Sequence, residues 1–190
     1  MGRALGQKLR LILLDRDGVI NEESSDFIKS PAEWQPLPGA LAAIKHIQSQ
    51  YMVGVATNQS GIARGLFTHE TLSAIHATLN ERLVSIGGTP VPIFFCPHGP
   101  ADECGCRKPA PGLLFAAMNH FAVDASATLF IGDSSRDIEA AQQAGCGSGL
   151  VLTGNGQATK SRGQAGPDHI WSNLEQAARN LTDRHQDLDV

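Results

Sequence analysis

Five short apolar runs, at residues 9–14, 52–56, 92–95, 128–131 and 149–152, constrain this chain more than any other feature. Each is four to six residues long and stops at a polar or turn residue, as a strand buried on both faces of a parallel sheet does. Between the runs the apolar residues change to helical spacing. Leu72, Ile75, Leu79, Leu83 and Ile86 share one face of a helix predicted over 68–86, with Thr68 as its N-cap and Glu70 in its first turn. Leu41, Ile44 and Ile47 line a second helix, and Leu113, Leu114, Ala117, Met118 and Phe121 a third. Ile138, Ala141 and Ala144 make a fourth, stopped by Gly145. A strand at 168–171 and a helix over 174–181 close the series. Right-handed crossovers turn this alternation into a doubly wound parallel α/β sheet, with the site among the loops at the carboxyl ends of its strands. The Gly-, Gln- and Ser-containing stretch 154–167 reads as a mobile surface loop.

The 190 residues suit one domain over 1–190. A formal net charge of −4 argues against a general nucleic-acid binder, so any anion site must be local. No apolar stretch approaches the ~20 residues of a membrane span, and residues 1–10 lack the apolar core of a signal peptide, so a cytoplasmic protein with no membrane partner is expected. The helices show no dimer seam, which leaves a monomer as the expectation. Cys96, Cys104 and Cys106 cluster while Cys146 stands apart behind a helix end, a pattern of metal binding rather than of a disulfide framework.

The strand ends carry the chemistry. Asp15 and Asp17 follow the first run, and Gly18 then lets the chain turn. Alone, this stretch reads equally as a capping turn. A calcium loop fits poorly, because Gly18 comes too early and Val19 stands where an oxygen ligand is needed. The second run leads into Thr57-Asn58-Gln59-Ser60-Gly61, whose hydroxyl and backbone donors suit a phosphoryl group, and the fourth into Asp133, with Asp137 beyond it. Arg107 and Lys108 lie between. Thr57 as a cap, Asp133 or Ser134 as a helix N-cap and Lys108 as a solvated charge are inexpensive structural readings of each fragment, but their joint occurrence at successive strand ends favours a site. Gathered carboxylates repel and need a cation, and an all-oxygen site favours magnesium. One carboxylate could attack phosphorus while the other handles the proton, with Thr57 and Lys108 on the equatorial oxygens.

These motifs, in this order, resemble the haloacid dehalogenase (HAD) superfamily, which implies a Rossmann-like fold. The resemblance makes Asp15 the nucleophile, Asp17 the general acid and base, and Thr57 and Lys108 the phosphoryl stabilisers. Asp133 becomes a magnesium ligand beside Asp15 and the main-chain carbonyl of Asp17, with Asp137 orienting its neighbours. Forty residues separate Asp17 from Thr57, little more than the ~30 of one βαβ unit, so no separate cap domain fits there.

The stretch CPHGPADECGCRKP holds Cys96, His98, Cys104 and Cys106, enough to close a tetrahedral structural zinc site; scattered buried thiols are the plainer alternative. Zinc would brace the loop that presents Arg107 and Lys108. Together with LDRDGVINEE, TNQSGIARG and CRKPAPG, this loop resembles the D-glycero-D-manno-heptose 1,7-bisphosphate 7-phosphatases over nearly the whole chain. That resemblance implies a small phosphorylated sugar substrate. It assigns contacts to Glu23, Ser24, Ser25 and Asp26, to Thr57, Asn58, Gln59 and Ser60, and to Arg107 and Lys108. Arg107, and Arg64 unless it is a solvated surface charge, would take the phosphate that is not cleaved. Three places depart from the family's usual pattern: residues 22–27, a shorter cysteine loop, and Ser134 where a lysine often stands. They leave the anomer, and with it the pathway, open. Histidinol-phosphate phosphatase is the nearest alternative enzyme, and a zinc-braced binding module the alternative outside catalysis.

Overall fold

The computed structural model describes residues 8–163 and 166–183, so parts of the 1–10 and 154–167 segments lie outside the described residues. Six parallel strands form one sheet: β1 (Leu11–Leu14), β2 (Met52–Asn58), β3 (Ile93–Cys96), β4 (Thr128–Gly132), β5 (Gly147–Val151) and β6 (His169–Trp171). They lie in the order β3-β2-β1-β4-β5-β6. Leu11 pairs with Met52 on one side and Thr128 on the other, which aligns the carboxyl ends of the three central strands.

The pleat explains why β1 is apolar without interruption. In β1, Ile12 and Leu14 enter one core and Leu11 and Leu13 the other. The first core is closed by α1 (Ala40–Ile47), α2 (His69–Ser85) and α6 (Leu174–Asp183), through Ile44, Ile75, Leu79 and Leu181 among others. The second is closed by α3 (Gly112–Phe121) and α4 (Ser135–Ala144), through Leu114, Ala117 and Ala141. Each fully buried Leu or Ile contributes roughly 1.5–3 kcal/mol relative to exposure, so both layers draw on β1. Cys146 is buried in the second core, as its place behind Gly145 suggests. Between β1 and β2 lie a 3-10 turn (Pro31–Glu33) and α1.

One expectation is overturned. The stretch 154–167 is not loop throughout, because Gly156–Arg162 form α5. Its sequence, GQATKSR, has no apolar stripe to reveal it, and only Gly156 is buried. Position 156 must be glycine: a Cβ there would stand 1.8 Å from the Val151 carbonyl oxygen. The helix is tied to the sheet by Thr159 Oγ1, which donates to the Asp133 carbonyl at 2.9 Å.

Candidate active site

In this strand order the chain reverses its winding between β1 and β4, and ligands bind in the crevice at such a switch point. Asp15 and Asp17 leave β1 there, and Asp133 leaves β4. A pocket of about 310 Å³ opens above them, lined also by residues from the ends of β2 and from the cysteine loop.

Lys108 organises its floor. Its ammonium is buried and lies 2.8 Å from Asp15 Oδ1, 2.7 Å from Asp137 Oδ1 and 2.9 Å from the Ala56 carbonyl. Burial works against its charge, but Asp137 and Asp15 override this and raise its pKa. Its main chain is held by Asn58, whose Oδ1 accepts from the Lys108 N–H at 3.0 Å and whose Nδ2 donates to the Lys108 carbonyl at 3.1 Å. Asn58, which sequence assigned to substrate, also lines the pocket.

Asp17 stands in a second network. Buried Arg16 grips it from Nη2 at 2.9 and 3.0 Å and from Nε at 3.1 Å, while Asn21 Nδ2 and Gln59 Nε2 donate at 2.8 and 2.9 Å. Burial would raise the pKa of Asp17, but the Arg16 charge and these donors hold it below the usual carboxylate range. Behind Arg16, Nη1 lies 3.4 Å from His76 Nε2. Burial and the Arg16 charge push His76 down to about 3, so its ring is neutral and accepts. Gln59 also donates to the buried hydroxyl of Thr57 at 3.0 Å.

Asp15, Asp133 and Asp137 offer oxygens that all lie within 4.8 Å of one another. Asp137 is occupied: Lys108 meets Oδ1, while the Ser134 hydroxyl and N–H donate to Oδ2 at 2.6 and 3.0 Å. This is the work of Ser134 in a chain that lacks lysine at that position. Asp133 is gripped on one oxygen, Oδ2, by the Asn155 N–H at 2.7 Å and its Nδ2 at 3.2 Å. Gly18 and Gly154 press on the same oxygen; a Cβ on either would approach it to 2.1 or 2.2 Å. Gly18 also has φ +78°, in the left-handed region that glycine favours. Burial, reinforced by Asp137, raises Asp133 to about 7, and burial with Asp137 and Asp133 raises Asp15 to about 8 against the pull of Lys108. Of the three carboxylates only Asp15 and Asp137 contact the one ammonium, and the donors are all oxygen. A hard divalent cation such as magnesium fits that set, held by Asp15 and Asp133. The Asp17 carboxylate lies outside the cluster, leaving its main-chain carbonyl as the expected third protein ligand.

A pH dependence follows. The folded pKa values of Asp15 and Asp133 lie above the ~3.9 of an unfolded aspartate, so without metal the folded state keeps protons that the unfolded chain releases. Their contribution to metal-free stability is full below about pH 4 and lost as pH rises through 7 to 8. Magnesium needs the deprotonated oxygens. The rise in melting temperature on adding magnesium should therefore be small at pH 5.5 and several degrees larger at pH 8; equal rises at both would separate these carboxylates from the metal.

The rim is built from loops. Glu23, Ser24, Ser25, Asn58, Gln59, Ser60, Arg64 and Arg107 line the pocket. Asp26 does not. A turn closed by the Phe27 N–H on the Ser24 carbonyl, with Phe27 at φ +64°, leaves Asp26 exposed at its tip and brings Phe27 and Ile28 to the pocket wall. Arg64 lies over the Phe27 ring, 5.6 Å from its centroid. Sequence reasoning also missed Arg136, which lines the pocket from the first turn of α4, three residues after Asp133. Asn155 Nδ2 links the Glu23 carboxylate, at 3.2 Å, to Asp133.

The cysteine loop brings its four residues together at the end of β3. Cys106 Sγ lies 3.2 Å from Cys96 Sγ, 3.5 Å from Cys104 Sγ and 3.3 Å from His98 Nδ1; Cys96 Sγ lies 3.6 Å from Cys104 Sγ and 3.5 Å from His98 Nδ1. These are five edges of a tetrahedron, close to the ~3.5–3.8 Å expected around zinc with ~2.0–2.3 Å bonds. The donor set fits zinc.

Comparisons with known proteins agree with this geometry. Residues 105–177 match a family described as HAD-hydrolase-like. A D-glycero-β-D-manno-heptose-1,7-bisphosphate 7-phosphatase from Bordetella bronchiseptica is 51% identical over 156 residues, covering 82% of this chain and 87% of the relative. One from Pseudomonas putida is 44% identical over 174 residues, covering 91% and 99%. The crystal structure of D,D-heptose 1,7-bisphosphate phosphatase from B. bronchiseptica, complexed with magnesium and phosphate, superposes with a TM-score of 0.88 at 46% identity, covering 93% of this chain and 99% of that one. No helix among the described residues is long and apolar enough to cross a membrane. Identity of this extent over most of both chains, on one fold, shows that the chain belongs to the D-glycero-D-manno-heptose 1,7-bisphosphate 7-phosphatase family of HAD-like hydrolases.

Proposed function

We propose that this phosphatase removes the 7-phosphate of D-glycero-β-D-manno-heptose 1,7-bisphosphate, supplying a heptose 1-phosphate for nucleotide activation, with the whole chain acting as one cytoplasmic, monomeric domain. The observation that carries this reading is the buried triangle of Asp15, Lys108 and Asp137 beneath a pocket ringed by arginines, in a chain whose relatives are named for that reaction.

Asp15 Oδ1 is engaged by Lys108 and by the Arg16 N–H at 2.7 Å, which fixes the carboxylate and leaves Oδ2 to attack phosphorus in line. The P–O bond to the sugar breaks as the Asp15–phosphorus bond forms, and Asp17 gives the leaving oxygen its proton. Asp17 is ionised in the free protein; the incoming phosphate charge raises its pKa, and it takes up from solvent the proton that it gives to the leaving oxygen. Asp17 then takes a proton from water, which attacks phosphorus and releases phosphate and free Asp15. Thr57 and Lys108 lie at the pocket base, where charge develops on the equatorial oxygens. Magnesium, when bound at Asp15 and Asp133, neutralises phosphoryl charge and lets carboxylate approach dianion. Asp137 keeps Lys108 charged. The cysteine loop, closed by zinc, holds Arg107, whose Nη1 donates to the His98 carbonyl at 3.2 Å.

Phosphate release with magnesium from the α and β anomers, beside histidinol phosphate, tests this on protein first assayed for metal. One zinc per chain and preference for the β anomer are expected, following the names of the relatives. Preference for the α anomer would move the enzyme to another heptose pathway, and equal or better turnover of histidinol phosphate would overturn the substrate.

A further inference from the structure

The geometry points to Arg136 as the residue that, together with Arg107, receives the phosphate of the substrate that is not cleaved. This rests on the reading of the substrate as a sugar bisphosphate. Three guanidiniums, those of Arg64, Arg107 and Arg136, line the pocket from three separate segments: the loop after β2, the cysteine loop and the first turn of α4. Among the described residues none of the three has a carboxylate within 4.0 Å. They differ in what else they touch. Arg64 lies over Phe27, and Arg107 spends one nitrogen on the His98 carbonyl. Arg136 forms neither a hydrogen bond nor an ion pair among the described residues, so its whole fork of donors is available.

Charge separates the candidates. Arg107 and Arg136 line the same pocket, Arg107 with one nitrogen on the His98 carbonyl and Arg136 with none so engaged. Glu23 is close enough to feel Arg136 but makes no ion pair with it, its carboxylate being held toward Asn155. Two guanidiniums without an ion-pair partner at one pocket suit a phosphate dianion, which offers oxygens for both forks. Lys108 cannot take this part, because its ammonium sits on the pocket floor against Asp15, at the phosphoryl group that reacts. Arg136 is also carried on the same short segment as Asp133. The spacing between the reacting and the resting phosphate is then fixed by the start of α4 rather than by a loop.

The test compares kcat/KM for the heptose 1,7-bisphosphate and the heptose 7-phosphate in the wild type, Arg136→Met, Arg136→Lys and Arg64→Met. Loss of one charge-assisted contact should lower the bisphosphate-to-monophosphate ratio at least about tenfold in Arg136→Met, mainly through KM, with partial recovery in Arg136→Lys. A ratio within twofold of wild type would overturn the assignment, as would an equal or larger loss in Arg64→Met. If the wild type releases no phosphate from the bisphosphate, the substrate reading fails and the proposal with it; if it does and only the ratio is unmoved, the substrate stands and Arg136 alone is lost.

Discussion

Replacing Asp15 with Asn should lower kcat by at least about 10⁴ while leaving the protein folded and, without metal at pH 8, no less stable to heat than the wild type. The amide keeps the size of the carboxylate but cannot form the bond to phosphorus, and an interaction present only in the transition state is lost from kcat rather than from KM. The stability half follows from the charge balance around Lys108. In the wild type, two carboxylates contact one ammonium, with Asp133 beside them, and Asp15 is the member pushed up to about 8. Neutralising it leaves Lys108 and Asp137 as a matched pair. Circular dichroism, a melting curve and phosphate release read the three quantities on one preparation, and activity within tenfold of wild type would remove Asp15 as the nucleophile.

Lys108→Met should act on the other side of the same balance and with the opposite sign on stability. Methionine fills much of the lysine stem but leaves Asp15 and Asp137 facing each other without a cation, and breaking a buried pair costs about 3–5 kcal/mol. For a chain of this size that corresponds to a fall in melting temperature of about 6–20 °C. Both carboxylates then hold protons more tightly when folded, so the deficit should widen from pH 5.5 to pH 8. Phosphate release should fall by about 10²–10³ or more, the effect of removing one donor from developing oxyanion charge. An unchanged melting temperature at pH 8 would mean that the ammonium does not balance these carboxylates.

What could be read in the sequence was whatever the chain writes locally. The central strands were legible because burial on both faces leaves their middles apolar, and α2 because its apolar stripe recurs at helical spacing behind a Thr68 cap. The Thr68 hydroxyl does accept the Thr71 N–H, at 3.2 Å. The four residues of the cysteine loop were legible because their ligand atoms are neighbours in the chain. Asp15, Asp17, Thr57 and Asp133 were legible as strand-end residues, and Lys108 from its place between them in the chain. Helix α5 was not, since what holds it is a hydroxyl bond to the Asp133 carbonyl and a glycine contact rather than an apolar face. The choice between Asp26 and Phe27 turned on one residue entering the left-handed region, which favours no bulky side chain and leaves no mark in composition. Asn155 and Arg136 needed the strand order itself: Asn155 lies 22 residues beyond Asp133 and reaches it because β5 pairs with β4. A cation in a helix's first turn, as at Arg136, looks like any solvated charge until the pocket beside it is known.

The packing of Gly18 and Gly154 against Asp133 has a consequence for how such an enzyme can change. Neither position can gain even a methyl group without displacing a carboxylate oxygen, and Gly18 is further restricted by its backbone. The base of the pocket therefore has almost no neighbouring sequences open to it. Ser24, Ser25, Phe27, Arg64 and Arg136 stand on half-buried or exposed loop and helix-end positions, where substitution disturbs no core. Divergence toward another phosphate ester would thus be confined to the rim, with the chemistry carried along unchanged beneath it.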